Sequence, residues 1–284
     1  MPGVPLLRLV LHVSARRAAV VPALLALVGL ASSCAPAAAA APGASARVVL
    51  VELFTSQGCS SCPAAEAFLG ELPRLGLGPD RVAPLAFHVT YWDDLGWKDP
   101  FALPAFTARQ HSYVNAHRLA SPAGEEGIDG AYTPQMIVDG RVHFSGARRD
   151  VALAEIARAA ARPPEAELDV EAARAADQVQ VVAQVRAGPG VRGPTAGWMV
   201  RAAVTDRAER TAVTRGENAG RTVEGAAIVR ALESASAPAG GAPVRLSVGK
   251  PKDLPWDQTQ VVVFVQASDT SRVLVTRVVR VLVR

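Results

Sequence analysis

The segment that constrains this chain most is residues 47–63, RVVLVELFTSQGCSSCP, where an apolar, β-branched run leads through a turn-rich TSQG into two cysteines three positions apart. Such a continuous run reads as a strand buried on both faces. Pro63 is tolerated in the first turn of a helix that begins at or just after Cys59, and Ala64, Ala65, Phe68, Leu69 and Leu72 recur at helical spacing to give it an apolar face. Backbone N–H groups of a first turn, together with the helix dipole, stabilise a thiolate. Cys59 is therefore the expected nucleophile, exposed and with a lowered pKa, and Cys62, one turn further on, is the expected resolving thiol.

Two blander readings compete with a redox pair. An inert disulfide is a poor staple here, because closing so small a loop restricts the unfolded chain very little. A zinc half-site needs two more ligands, and the only other cysteine in the chain is Cys34. That residue lies in an acid-free stretch of 45 residues in which Arg16 and Arg17 precede an apolar run over 18–31 and then small residues up to Ala41. This is the layout of a secretory signal peptide, too short to cross a bilayer as a helix. Residues 1–45 are accordingly expected to be a signal peptide and leader, with the mature protein periplasmic or secreted and starting between Cys34 and Gly43. The alternative is a membrane-anchored lipoprotein, lipidated at Cys34 after Ala31-Ser32-Ser33. Either event leaves Cys59 and Cys62 as the only thiols in an oxidising compartment, where they must answer to each other.

The formal charge of +4 suggests a nucleic-acid partner only until the leader is set aside: without Arg8, Arg16 and Arg17 there remain 27 basic against 26 acidic residues. A nearly neutral chain with no basic run excludes an electrostatic case for DNA, RNA or acidic membranes.

Beyond the cysteines, residues 82–89 read as a strand, 104–119 as a helix with Phe106 and Tyr113 inward, 136–139 and 142–145 as a hairpin turning at Asp139-Gly140, and 150–161 as an alanine-rich helix. Alternating strands and helices imply parallel strands joined by crossovers. Arg162-Pro163-Pro164 interrupts the pattern. After it come eight strand-like segments separated by turn residues, at 168–173, 178–186, 197–205, 210–215, 221–232, 244–248, 260–266 and 272–283, which suggest an antiparallel sandwich. The expected architecture is an α/β N-terminal domain over 46–162 followed by an all-β sandwich-like domain over 165–284.

Thr133-Pro134 sits just before the hairpin, about 70 residues after the cysteines. In this topology that loop faces the cysteine pair, and a cis proline there presents a backbone edge to an extended substrate peptide. The order of strand, CSSCP helix, strand, helix, TP loop, hairpin and helix over 47–161 resembles the thioredoxin fold. More closely, ELFTSQGCSSCPAAE, FHVTYWDDLGWKDPFALPAFTARQ, YTPQMIVDG and RGENAGRT resemble a thioredoxin-like family of secreted bacterial proteins catalogued as domain-of-unknown-function family 1223. That family brings no settled activity; the resemblance implies a fold and a candidate redox site at Cys59, Cys62 and Pro134.

His88 falls near the carboxyl end of a strand beside the first, where ligands of open α/β sheets gather. Tyr91, Trp92, Trp97 and Phe101 are candidates to wall a groove or simply to pack a long loop, and His88, Asp93 and Asp94 are candidate proton relays for thiol exchange. His111, His117 and His143 read as solvent-facing. Residues 188–193 match GxGxxG but lack a following helix, so they are no nucleotide site; RGENAGRT, at 215–222, reads as a polar loop between strands, with the resemblance favouring contact with the first domain or a partner. The expected function is thiol-disulfide exchange with protein or peptide thiols, with Thr133-Pro134 docking the substrate and no cofactor. Competing readings are a copper metallochaperone, in which both thiols and His88 hold Cu(I), and a non-catalytic interaction module.

Overall fold

In the computed structural model, which describes residues 47–115, 119–122, 130–191, 197–268 and 271–282, the apolar run forms strand β1 (Val49–Thr55), with all seven residues buried. Its side chains alternate between two cores, as a period of two requires. Val49, Val51 and Leu53 pack with Phe68, Leu69 and Ile156, whereas Leu50 and Phe54 face Leu85, Phe87, Phe106 and Phe264. Helix α1 (Pro63–Glu71) starts at its proline, and β2 (Val82–His88) lies parallel to β1 from Val49↔Val82 to Thr55↔His88. Helix α2 (Pro104–Asn115), the hairpin β3 (Gln135–Val138) and β4 (Val142–Ser145), and α3 (Arg149–Ala160) follow in the expected order. Asp139 and Gly140 both have positive φ, 51° and 61°, as a two-residue hairpin turn needs. Only glycine fits the second position, where a Cβ would lie 2.0 Å from the Ser271 carbonyl oxygen.

The second half supplies β5 (Ala166–Ala175), β6 (Gln178–Ala187), β7 (Trp198–Ala212), β8 (Thr222–Ser236), β9 (Val244–Gly249), β10 (Thr259–Ala267), β11 (Val273–Val279) and β12 (Val281–Leu282). The expected strand segments are there, two of them merged into the long β7. What the structure overturns is the architecture. An α/β thioredoxin-like domain with a separate all-β domain behind it is not what forms. Strands from both halves make one eight-stranded mixed sheet in the order β11-β10-β7-β8-β2-β1-β3-β4, and β12-β5-β6-β9 make a second sheet of four. The described residues fall in a single compact, mostly β unit. The junction is a parallel pairing of β2 with β8 at Ala86↔Ile228. The physical reason is the outer edge of β2, whose free N–H and C=O groups need a partner or a cover; hydrophobic periodicity reveals strands but not which edges meet. The four-stranded sheet packs on β7, β10 and β11 through Leu168, Val181, Val204, Val248, Val263 and their neighbours. Among the described residues no helix is long and apolar enough to cross a membrane.

A buried polar cluster ties the halves together on the other face. Arg109 of α2 donates to Glu52 Oε1 of β1 at 2.6 Å, to the Tyr113 hydroxyl at 3.0 Å and to Gln266 of β10 at 3.3 Å. Tyr113 donates in turn to Glu52, and Gln266 to Tyr113. The guanidinium also lies 5.1–5.5 Å from the ring centres of Phe87, Tyr113 and Phe264. Removing one partner leaves a buried charge uncompensated. Arg109→Met is therefore expected to cost about 3–5 kcal/mol in urea unfolding, and the double change Arg109→Met, Glu52→Leu distinctly less. Equal losses for the two would show that the ion pair does not hold this interface.

Candidate functional site

The chain leaves β1 through Ser56-Gln57-Gly58 and reaches Cys59 and Cys62, which form a disulfide with their Cα atoms 5.5 Å apart. Cys62 is the N-cap residue of α1. Cys59 is only 1% exposed and Cys62 fully buried, with Ser60 and Ser61 exposed between them. The expectation of an exposed Cys59 is thus corrected, and the reason lies in what surrounds the loop.

One side is closed by aromatics of residues 90–101. A 3₁₀ turn, Thr90–Leu95, carries Trp92, whose Nε1 donates to Thr133 Oγ1 at 2.8 Å and whose Cβ lies 3.4 Å from the position a Cβ on Gly58 would take. Trp92 thus joins the cysteine loop to the Thr133–Pro134 peptide, which is cis. Pro134 also approaches α1: a Cβ on Gly146 would lie 3.1 Å from Pro134 Cβ and 3.2 Å from Ala65 Cβ. Trp97 donates to Gln57 Oε1 at 3.3 Å, and Phe101 packs edge-on against His88. The aromatics therefore pack around the loop, with Tyr91 38% exposed.

The other side is closed by RGENAGRT, the turn between β7 and β8. Asn218, fully buried, donates from Nδ2 to the carbonyl oxygens of Gln57 at 2.9 Å and Cys59 at 3.0 Å, and accepts from Arg221. Ser60 N–H donates to the Glu217 carboxylate at 2.9 Å, and Gln57 Nε2 donates to Thr211 at 2.9 Å. Gly216 is required here, with φ of 73° and its Cβ position 3.1 Å from Trp97 Cβ. This loop read as an ordinary polar connection in the sequence. The one signal for it was its presence among the segments that carry the family resemblance.

Beneath the cysteines lies a buried titratable group of residues. His88 Nδ1 and Asp99 Oδ2 are 2.7 Å apart, and the same Oδ2 accepts Gln57 N–H at 2.7 Å. Asp99 Oδ1 accepts Phe101 N–H, and Asp99 N–H donates to Asp93. Asp93 is thus one step removed from His88, Asp94 is exposed, and Asp99 is the acid that sequence reasoning passed over. On α1, Glu66 is fully buried and accepts from Thr55 Oγ1 at 2.6 Å. His88 Nε2 and Glu66 Oε2 are both buried without a hydrogen-bond partner among the described residues. His111 is exposed as expected, His143 is half-buried and hydrogen-bonded to Ser121 and Tyr132, and His117 lies outside the described residues, as do Cys34 and the rest of the leader. Among the described residues no three His, Cys, Asp or Glu side chains group as a metal site.

The electrostatics follow from burial and pairing. Burial disfavours the charged imidazole of His88, but the Asp99 carboxylate and the charge of Glu66 outweigh it and hold its pKa above the ordinary value. Burial raises Glu66, against the opposing influence of His88 and the Thr55 hydroxyl. Asp99 is pushed up by burial, yet His88 and the Gln57 and Phe101 amides bring it below the usual carboxylate range. A raised folded-state pKa means that the stability owed to protonated His88 is complete below the unfolded value of about 6.5 and is lost as pH rises through the folded value. Urea unfolding between pH 6 and 9 is expected to show this decline in the wild type, and a flatter profile for His88→Gln. Parallel profiles would remove His88 as its source.

Among curated proteins, none matches the sequence significantly. Among solved structures, the chain is similar to the crystal structure of a protein from Agrobacterium tumefaciens, 25% identical with a TM-score of 0.55, over 81% of this chain and 93% of that one. It is also similar to HBP35 of Porphyromonas gingivalis, 14% identical with a TM-score of 0.60, over 83% of this chain and 75% of that one, a likeness of fold alone. Both alignments run through the two halves of the sequence, in keeping with one joint architecture. A family match described as "Protein of unknown function (DUF1223)" covers residues 50–266, which takes in β1, the cysteine pair, the Thr133-Pro134 loop and the β7–β8 turn. The chain belongs to that family.

Proposed function

We propose that the protein carries out thiol-disulfide exchange with protein or peptide thiols through Cys59 and Cys62. The observation that carries this reading is the position of the disulfide: it spans only four residues at the start of α1, on a loop whose Gln57 amide is held by the His88-paired Asp99 and whose Gly58 abuts Trp92, itself bonded to Thr133 of the Thr133-Pro134 loop. A bond of that span is worth little as a staple, while the surrounding contacts shape the loop that bears it. In the reduced state, Cys59 thiolate attacks one sulfur of a client disulfide, forming a mixed disulfide and displacing the other client sulfur as a thiolate. Cys62 thiolate then attacks Cys59 Sγ, re-forming the 59–62 bond and releasing the second client thiolate. Oxidation of a client dithiol is the same sequence reversed. The Thr133-Pro134 loop, with Tyr91 beside it, is the proposed docking edge for the client backbone. His88 with Asp99 is the proposed proton store, with Asp93 a step behind and Asp94 on the exposed turn. An oxidising compartment, periplasmic or extracellular, suits a chain of this kind.

Trapping decides the matter. Cys62→Ser leaves the nucleophile without its resolving thiol and is expected to accumulate mixed disulfides with client proteins, visible by non-reducing gels and mass spectrometry. Cys59→Ser is expected to accumulate far fewer. Negligible and equal trapping by both variants would overturn exchange as the function.

A further inference from the structure

The loop that bears the buried Cys59–Cys62 bond is pinned along its backbone by a segment more than 150 residues away. Asn218 spends both amide hydrogens on the carbonyls of Gln57 and Cys59, and its own oxygen is held by Arg221. Every polar group of the side chain is thus satisfied while the residue is fully buried. The loop is anchored within itself by Val213 N–H to Arg221 O, Gly220 N–H to Val213 O, and Ala219 N–H to Gly216 O. Glycines with φ of 73° and 78°, Gly216 and Gly220, bracket Glu217 and Asn218, the two residues that hydrogen-bond to the cysteine loop. Gly216 also meets the backbone of Gly96 closely, since a Cβ on Gly96 would lie 3.3 Å from Gly216 Cα. This close approach lets the loop settle onto the cysteine segment.

In-line attack on a disulfide needs an open approach to one sulfur along the S–S axis, and at 1% and 0% exposure neither sulfur-bearing residue offers it. Glu217 adds a second effect. Its carboxylate accepts Ser60 N–H, the amide next along the chain from Cys59, and so withholds that donor from a Cys59 thiolate. It also holds a negative charge on the backbone of the residue after Cys59, and a like charge nearby disfavours ionisation of a thiol.

We infer that Asn218 and Glu217 are positioning residues that hold the cysteine pair in a closed state, so that exchange proceeds only when the β7–β8 turn lifts away. This rests on the exchange reading for its purpose, but the closed state itself is a property of the bond and is tested without any client. With the loop lifted, an incoming thiolate bonds to Cys59 Sγ, the Cys59–Cys62 bond breaks, and Cys62 leaves as a thiolate. Asn218 controls access; Glu217 controls how readily Cys59 ionises. The charged groups near the pair include Glu217 and Arg221 on the loop, Glu66 on α1, and His88, Asp99, Asp93 and Arg230 below, and of these Glu217 hydrogen-bonds to the backbone between the two cysteines.

The experiment measures reduction of the full chain by dithiothreitol under pseudo-first-order conditions, followed by thiol labelling. Asn218→Ala, and the isosteric Asn218→Asp, which turns two donors into an acceptor facing two carbonyls, are each expected to speed reduction about tenfold, from the loss of two hydrogen bonds. If the alanine variant fails to fold, the aspartate variant carries the test. Glu217→Gln keeps an acceptor for Ser60 N–H while removing the charge. In a Cys62→Ser background it is expected to move the iodoacetamide alkylation profile of Cys59 to lower pH, a change that a merely structural residue would not cause. Reduction of the wild type as fast as a short peptide bearing the same CSSC disulfide, or unchanged rates in folded Asn218 variants, would overturn the closed state. Absence of client trapping alongside accelerated reduction would instead leave the closed state standing and remove the exchange function.

Discussion

Most of what is distinctive in this protein depends on the pairing of β2 with β8. β2 receives β1 on one side, and its other side carries a row of main-chain donors and acceptors that must be matched or shielded. β8 meets that edge in parallel at Ala86↔Ile228 while pairing with β7 along nearly its whole length on its far side. The β7–β8 ladder shifts register at Val204/Thr205, and Ala227 has φ of 54°, so the hairpin bends where it reaches β2. Past the bend, its tip runs over α1, where Ala226 approaches Gly70, and ends on the cysteine loop. One edge contact therefore creates the eight-stranded sheet and delivers Asn218 to the cysteines.

Among the buried charges of the interior, two groups differ in character. Around Arg109 every buried polar atom of the central residues has a partner, and the guanidinium is further sandwiched by aromatic rings. A network satisfied in this way behaves as structure: it specifies how α2 sits between the two halves. Below the cysteines the group is incomplete, with His88 Nε2 and Glu66 Oε2 lacking partners among the described residues although fully buried. Low local dielectric makes such groups costly and couples their protonation states strongly. The incomplete group reaches the loop that bears the disulfide through the Gln57 amide on Asp99.

Much of this was readable in the residues. The apolar run of β1, the proline-led α1, the Asp139-Gly140 turn, the inward Phe106 and Tyr113 of α2, and the cysteine pair at a helix start all follow from rules that act within a few residues. The strands of the second half were readable for the same reason, from alternation and turn chemistry. Glu52, Glu66, Asp99 and Asn218 were not. Each is a polar residue in a segment whose local pattern gives it no special role: Glu52 interrupts an apolar strand, Glu66 sits on an alanine-rich helix, Asp99 lies among three other charged residues, and Asn218 belongs to a polar turn.

The sequence by itself determined the local elements and the chemistry available to them: a strand, a turn, and two cysteines poised at the start of a helix, because backbone propensity and side-chain period are local properties. Only the tertiary structure decided that the two halves share a sheet, that His88 pairs with Asp99 rather than with Asp93 or Asp94, and that the disulfide is covered rather than exposed. Those outcomes depend on which strand edge finds which partner and on which distant polar group can satisfy a buried carbonyl. Such matches are made between residues as far apart as Cys59 and Asn218, and no periodicity along the chain records them.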